Sequence, residues 1–196
     1  MKGPAVHVLV FDGLADWEAA HALAELRRSG GLAVVAVGFT ADAVTTMGGL
    51  RILPDLALSA VAPSDVRFLL LPGGDMWEGE HPWDALDALL RALTAKGIPV
   101  AAICGATLAL ARLGLLDDRR HTSNAPEYLA QHAPSYKGSR FYLPELAVRD
   151  GGVITASGLG CVEFAREIFE ELGVLGPDDR SLWFEMFKHG RVPPAA

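Results

Sequence analysis

Apolar residues follow two rhythms along this chain, and the rhythms alternate. Ala5 to Phe11 is a Val/Leu/Phe-rich run ended by Asp12-Gly13, which predicts a buried strand. Ala15 to Ser29 then spaces Trp17, Ala20, Leu23, Ala24 and Leu26 at helical intervals until Gly30-Gly31 stop it. Leu32 to Phe39 predicts a second buried strand, and the segment TTMGGLRILPD a small hairpin turning at Gly48-Gly49. Val66 to Leu71 predicts a further strand closed by Pro72-Gly73-Gly74, and Trp83 to Ala95 a helix with Trp83, Leu86, Leu90 and Leu93 on one face. Pro99 to Ile103 predicts the next strand and Ala106 to Leu113 the next helix. After Asp117 the rhythm weakens, with short β-like pieces expected around Phe141 and Ala147 and a stronger one at Val153 to Ala156. A long amphipathic helix is expected from Gly158 to Leu172 and a short terminal one from Ser181 to Lys188.

Such alternation predicts one α/β domain over residues 1–192, with 193–196 as a frayed tail. Its sheet is expected to be mainly parallel, with helices on both faces, and right-handed crossovers then put ligands beyond the carboxyl ends of the strands.

Composition removes several function classes. Hydrophobic residues make up 51% of the 196 and charged ones 21%, which is too apolar for disorder. A net charge of -7 opposes binding to phosphate backbones, so no nucleic-acid partner is expected. No stretch approaches the length of a membrane span and no leader is legible at the start, which predicts a cytoplasmic protein without a membrane partner. The two cysteines, Cys104 and Cys161, lack the spacing of a zinc site and are too few for a disulfide scaffold. The glycine segments GGL and PGGD lack the Walker lysine and the dinucleotide spacing. Neither metal nor cofactor is expected.

What remains is a thiol at a bend. Cys104 falls where a β-branched apolar run meets an Ala/Leu-rich helix pattern, and Gly105 permits a tight strand-to-helix turn there. Unpaired amides and the positive end of a helix dipole at that place favour thiolate, so a lowered thiol pKa is expected. The alternative is an inert core cysteine among alanines. Gly74 ends a neighbouring strand, and its N–H together with that of Gly105 is a candidate oxyanion hole. Glu18, one turn into the first helix, is a candidate for a buried, protonated acid donating to sulfur, or else a solvated first-turn residue. Asp75, Trp77 and Glu78 offer a pocket wall or an acidic solvated loop. Cys161 reads as a packed thiol, and Trp183, Phe184 and Phe187 as cover for the core or a dimer face.

Four segments, FDGLADWE, LLLPGGD, AAICGATLALARLGLL and ITASGLGCVEFAREIFEEL, resemble the ThiJ/PfpI superfamily in order and approximate spacing. Its members include a deglycase, peptidase-like proteins, isocyanide hydratases and stress proteins. The resemblance implies a flavodoxin-like three-layer sandwich and a homodimer. It places Cys104 at the elbow, Glu18 as the acid on its sulfur, and Gly74 and Gly105 as oxyanion amides. Peptidase-like members carry histidine directly after the cysteine, where this chain has Gly105, so a peptidase loses its proposed base. The deglycase branch has histidine at the position of Asn124, which cannot act as a general base. His121 and His21 are the candidate substitutes, each with an alternative as an ordinary loop, core or surface residue. The expected function is a cysteine-dependent enzyme on a small electrophilic molecule. A redox-responsive protein and a glutaminase-like module are the other readings.

Overall fold

A computed structural model describes residues 3–79 and 83–192; the tail expected at 193–196 lies outside them. Strand β1 (Ala5–Val10) leads into helix α1 (Asp16–Arg28), whose first turn carries Asp16 and Glu18 and whose last carries Arg27 and Arg28, as the helix dipole favours. Next come β2 (Val34–Gly38), the antiparallel pair β3 (Val44–Thr45) and β4 (Arg51–Ile52), and β5 (Leu56–Ala57). Then β6 (Val66–Leu71), α2 (Asp84–Ala95), β7 (Val100–Ile103), α3 (Thr107–Arg112) and α4 (Pro126–His132) follow. The chain continues with β8 (Ala147–Asp150), β9 (Val153–Ala156), α5 (Cys161–Leu172) and α6 (Pro177–His189).

Seven strands form one sheet in the order β5-β2-β1-β6-β7-β9-β8, parallel except for β8, which runs antiparallel to β9. This is the expected flavodoxin-like α/β architecture. The order reverses direction after β5, and right-handed crossovers therefore place α1 on one face and α2 and α3 on the other. Helix α5 packs on α1 and α6 on α5. The inner strands β6 and β7 are apolar on both faces, and Phe68, Leu70, Val100, Ala101 and Ile103 are fully buried. Trp183 of α6 closes the far side: its ring stands edge-on to Phe169 at 4.9 Å and its indole N–H reaches Glu25 of α1 at 3.3 Å.

Several elements differ from the sequence expectations. Phe141 ends a 3-10 turn, Ser139–Phe141, rather than a strand, because its N–H closes on Gly138 O at 2.8 Å. β2 is half-buried over Val34 to Ala36, since only the two-residue β5 shields it from the sheet edge. α4 goes unseen in a polar stretch where Pro126 supplies the helix start. α6 begins at Pro177, four residues before the expected start, because its first turn holds Pro177, Asp178 and Asp179 and carries no apolar period. Trp183 covers the core as expected, whereas Phe187 is half-exposed.

Candidate active site

Three adjacent parallel strands, β1, β6 and β7, end on one edge, and the next neighbour, β9, ends beside them. Each delivers one part of the site. β7 runs into Cys104, which opens a 3-10 turn with φ at 58°. That left-handed conformation is costly for a residue with a side chain and lifts the thiol out of the helix that follows. β1 leads into α1 and Glu18, which is only 2% exposed. β6 leads into Pro72-Gly73, and the Gly73 N–H donates to Glu18 Oε2 at 2.6 Å. β9 leads to Gly158, whose Cα faces both groups: a Cβ built there would lie 3.1 Å from Cys104 Sγ and 3.3 Å from Glu18 Oε1.

Glycine is therefore required where the strand ends meet. A Cβ on Gly73 would come within 2.5 Å of Glu18 Oε2 and 2.6 Å of Cys104 Cβ, so the acid and the thiol approach each other only across a bare backbone. Gly74 turns its carbonyl oxygen toward Gly105, 3.0 Å from where a Cβ would stand. The two proposed oxyanion glycines are thus neighbours, while the amide that Glu18 engages is that of Gly73, a contact the sequence did not suggest.

The electrostatics differ from the expected lowered thiol. Burial pushes Cys104 above its ordinary value, and the charge of Glu18 pushes the same way; hydrogen bonds from Asn124 and the Gly105 N–H pull it down without reversing the balance. Burial also raises Glu18, against the Gly73 amide and its hydrogen bond with Cys104. Oε2 is occupied as an acceptor by Gly73, which leaves Oε1 as the oxygen that holds a proton toward sulfur. Two acids in contact share protons, so a thiolate here coexists with a neutral Glu18, and the titration belongs to the pair.

Asn124 completes the ring around sulfur. Its Oδ1 accepts the Gly158 N–H at 3.0 Å, which orients Nδ2 to donate to Cys104 Sγ at 3.3 Å. The amide donates to sulfur and takes no proton from it.

The other candidates fall elsewhere. His121 is neither an exposed loop residue nor a base for Cys104: it is fully buried, with Nδ1 on Arg119 O at 2.8 Å and Nε2 on Tyr136 Oη at 2.6 Å. A carbonyl only accepts, so Nδ1 carries the hydrogen and Tyr136 donates to Nε2; burial holds the ring below its usual pKa, and both nitrogens are spent. His21 faces Trp183 and Phe187, with ring centroids 5.9 and 5.1 Å away. Asp75 and Glu78 are exposed, whereas Trp77 between them is fully buried and stacks on Trp83 at 5.2 Å. Both cysteines are free thiols, and the described residues contain no cluster of three or more metal-ligating side chains. No helix among the described residues is long and apolar enough to cross a membrane.

A cysteine at a strand-to-helix elbow, met by an acid that follows the next strand but one of a mainly parallel sheet, defines a class of α/β proteins. The chain belongs to the DJ-1/PfpI family, whose model matches residues 4–171. It is 38% identical over 195 residues to the Bacillus subtilis protein named uncharacterized protease YoaZ, covering 96% of this chain and 92% of that one. A DJ-1 superfamily protein from Agrobacterium tumefaciens superimposes with a TM-score of 0.88 at 35% identity, over 96% of this chain and 100% of that one. A thiJ/pfpI family protein from Bacillus anthracis gives 0.86 at 38% identity, over 97% and 93%. Among more distant relatives are a Caenorhabditis elegans protein named glutathione-independent glyoxalase, 29% identical over 144 residues, and a Thermococcus kodakarensis protein named deglycase, 31% identical over 118.

Proposed function

We propose that the protein is a cysteine-dependent enzyme acting on a small electrophilic carbonyl compound. Cys104 adds to the carbonyl carbon, and its thiol proton passes to Glu18. The new C–S bond sends the carbonyl π pair onto oxygen, where the Gly105 and Gly74 amides stabilise it until Glu18 returns the proton. The observation that supports this reading most directly is the Glu18 carboxyl fixed by the Gly73 N–H at 2.6 Å while Asn124 Nδ2 donates to Sγ at 3.3 Å. An acid that can hold a proton and a donor that cannot accept one suit reversible addition, in which the proton leaving sulfur is the one delivered to oxygen. The glyoxalase and deglycase names among relatives fit carbonyl chemistry. The protease name of the Bacillus subtilis relative fits this chain less well, because Gly105 stands where peptidase-like members carry histidine.

Turnover of glyoxals, amides and isocyanides by the wild type and Cys104→Ala tests the proposal. Loss of turnover in the variant is expected; equal turnover by both proteins overturns it. The redox reading draws on the same donors, which would equally stabilise an oxidised sulfur. Preferential oxidation of Cys104 by mild peroxide, read by mass spectrometry in a protein that turns over nothing in the panel, would favour it. Homodimeric assembly in the cytoplasm is part of the same proposal. The exposed apolar side chains of Trp17, Met47 and Leu50, grouped around one surface hollow, are consistent with the dimer. A monomer in sedimentation at micromolar concentration would remove it.

A further inference from the structure

Behind the elbow lies a pair of buried hydroxyls that the chemistry above does not use. Thr107 Oγ1 is 2.7 Å from the Cys104 carbonyl oxygen and 2.7 Å from Ser123 Oγ, and both residues are almost completely buried. Hydrogen counting fixes the direction. The carbonyl can only accept, so the single hydroxyl hydrogen of Thr107 goes to Cys104 O, and Ser123 must donate its own to Thr107. The Thr107 backbone N–H also reaches the Cys104 carbonyl. That oxygen therefore accepts twice, once from a hydroxyl that is itself polarised by a second hydroxyl.

The carbonyl belongs to the peptide unit whose N–H is that of Gly105, the residue directly after the thiol, and that backbone group acts on the Cys104 sulfur in the direction of thiolate. Hydrogen bonds to a peptide oxygen polarise the whole unit and make its N–H a stronger donor; chains of such bonds strengthen one another. We propose that Ser123 and Thr107 are positioning residues, a two-hydroxyl relay that strengthens the Gly105 amide toward the sulfur and holds Cys104 in its left-handed conformation. The relay ties together the two donors that face the thiol. Ser123 directly precedes Asn124, and its backbone oxygen accepts the Tyr142 hydroxyl at 3.2 Å, which anchors this segment independently of the Ser123 side chain. One arm of the relay thus sets the strength of the Gly105 amide, and the same stretch of chain carries the Asn124 amide to the sulfur. The role of the relay rests on the reading of Cys104 as the nucleophile, but its test does not use turnover.

The measurement is the pH dependence of iodoacetamide alkylation of Cys104, read by peptide mass spectrometry, with Cys161 in the same molecule as the internal reference. Thr107→Val removes the hydroxyl and keeps the shape; Ser123→Ala removes the second member. Each should raise the Cys104 midpoint by about half a unit to one unit, slowing alkylation about three- to tenfold at a fixed pH below the midpoint. The double variant should match Thr107→Val, because the hydroxyls act in series, and Thr107→Ser should restore the wild-type midpoint. Cys161 should not change. A purely structural role would lower the melting temperature and leave the midpoint in place. An unmoved midpoint in a folded Thr107→Val or Ser123→Ala protein, or additive shifts in the double, would overturn the relay. Should Thr107→Val fail to fold, Ser123→Ala carries the same test. Failure of the nucleophile reading would show instead as turnover surviving in Cys104→Ala.

Discussion

Replacing Glu18 by glutamine removes a charge while keeping a side chain that still accepts the Gly73 N–H and still faces sulfur. In the native pair the second proton must leave beside a charge already present. Two unit charges about 4 Å apart interact by about 4 kcal/mol at an effective dielectric of about 20, equal to about 3 pKa units. Solvent at the half-buried Cys104 side chain screens this to about one to two units. In a Cys161→Ser background, thiolate absorbance near 240 nm should rise in two steps in the wild type, because the protons belong to the pair. In Glu18→Gln it should rise in one step, about one to two units below the upper wild-type step. Turnover should fall about a hundredfold, since an amide returns no proton to the substrate oxygen. Stability gives a second readout. Burial holds Glu18 above its ordinary 4.5, so the folded chain binds this proton more tightly than the unfolded chain. Its stabilising contribution is complete below 4.5 and is lost as pH rises through the folded value. Glutamine does not titrate, so the melting temperature of the variant should gain on the wild type as pH rises above 4.5 through the folded value of Glu18. Superimposable thiolate titrations of the two proteins would refute the shared proton.

Other sites make separate predictions. Asn124→Ala should raise the Cys104 midpoint and slow alkylation about three- to tenfold while changing stability by less than about 1 kcal/mol, because the residue is exposed; a faster reaction would contradict the donor role. Gly73→Ala should cost about 1–3 kcal/mol in urea unfolding and abolish turnover, because its Cβ overlaps both Glu18 and Cys104. Tyr136→Phe leaves a buried acceptor on His121 unpaired, and should cost about 1–3 kcal/mol with no change in Cys104 alkylation.

The layer order and most elements are legible in the sequence because β1, β6 and β7 are buried on both faces and read as continuous apolar runs, and α2 carries a clear period. The face of α1 is not legible: of Trp17, Ala20, Leu23, Ala24 and Leu26 only Leu26 is buried, and the core side of the helix holds Glu18, Ala19, Ala22 and Glu25 instead. Glu18 and Cys104 are legible as candidates because each follows a strand with helix-start chemistry. Their contact is not, since it depends on the strand order β1-β6-β7 and on Gly73 being bare. The direction of the thiol shift is hidden for a related reason: local sequence shows the helix start, but not the burial and the acid that outweigh it. His121 could not be placed because Tyr136 and the Arg119 carbonyl reach it only through loop folding. The Thr107–Ser123 pair is likewise invisible, its members sixteen residues apart in a segment without periodicity.

The family match ends at residue 171, before α6, yet Trp183 of that helix grips Glu25, two turns along the same rod that presents Glu18. A polypeptide stopping at Leu172 would retain every group surrounding the thiol and forfeit the brace behind its acid. In this fold the far end of the chain governs how steadily a proton donor is aimed from the beginning.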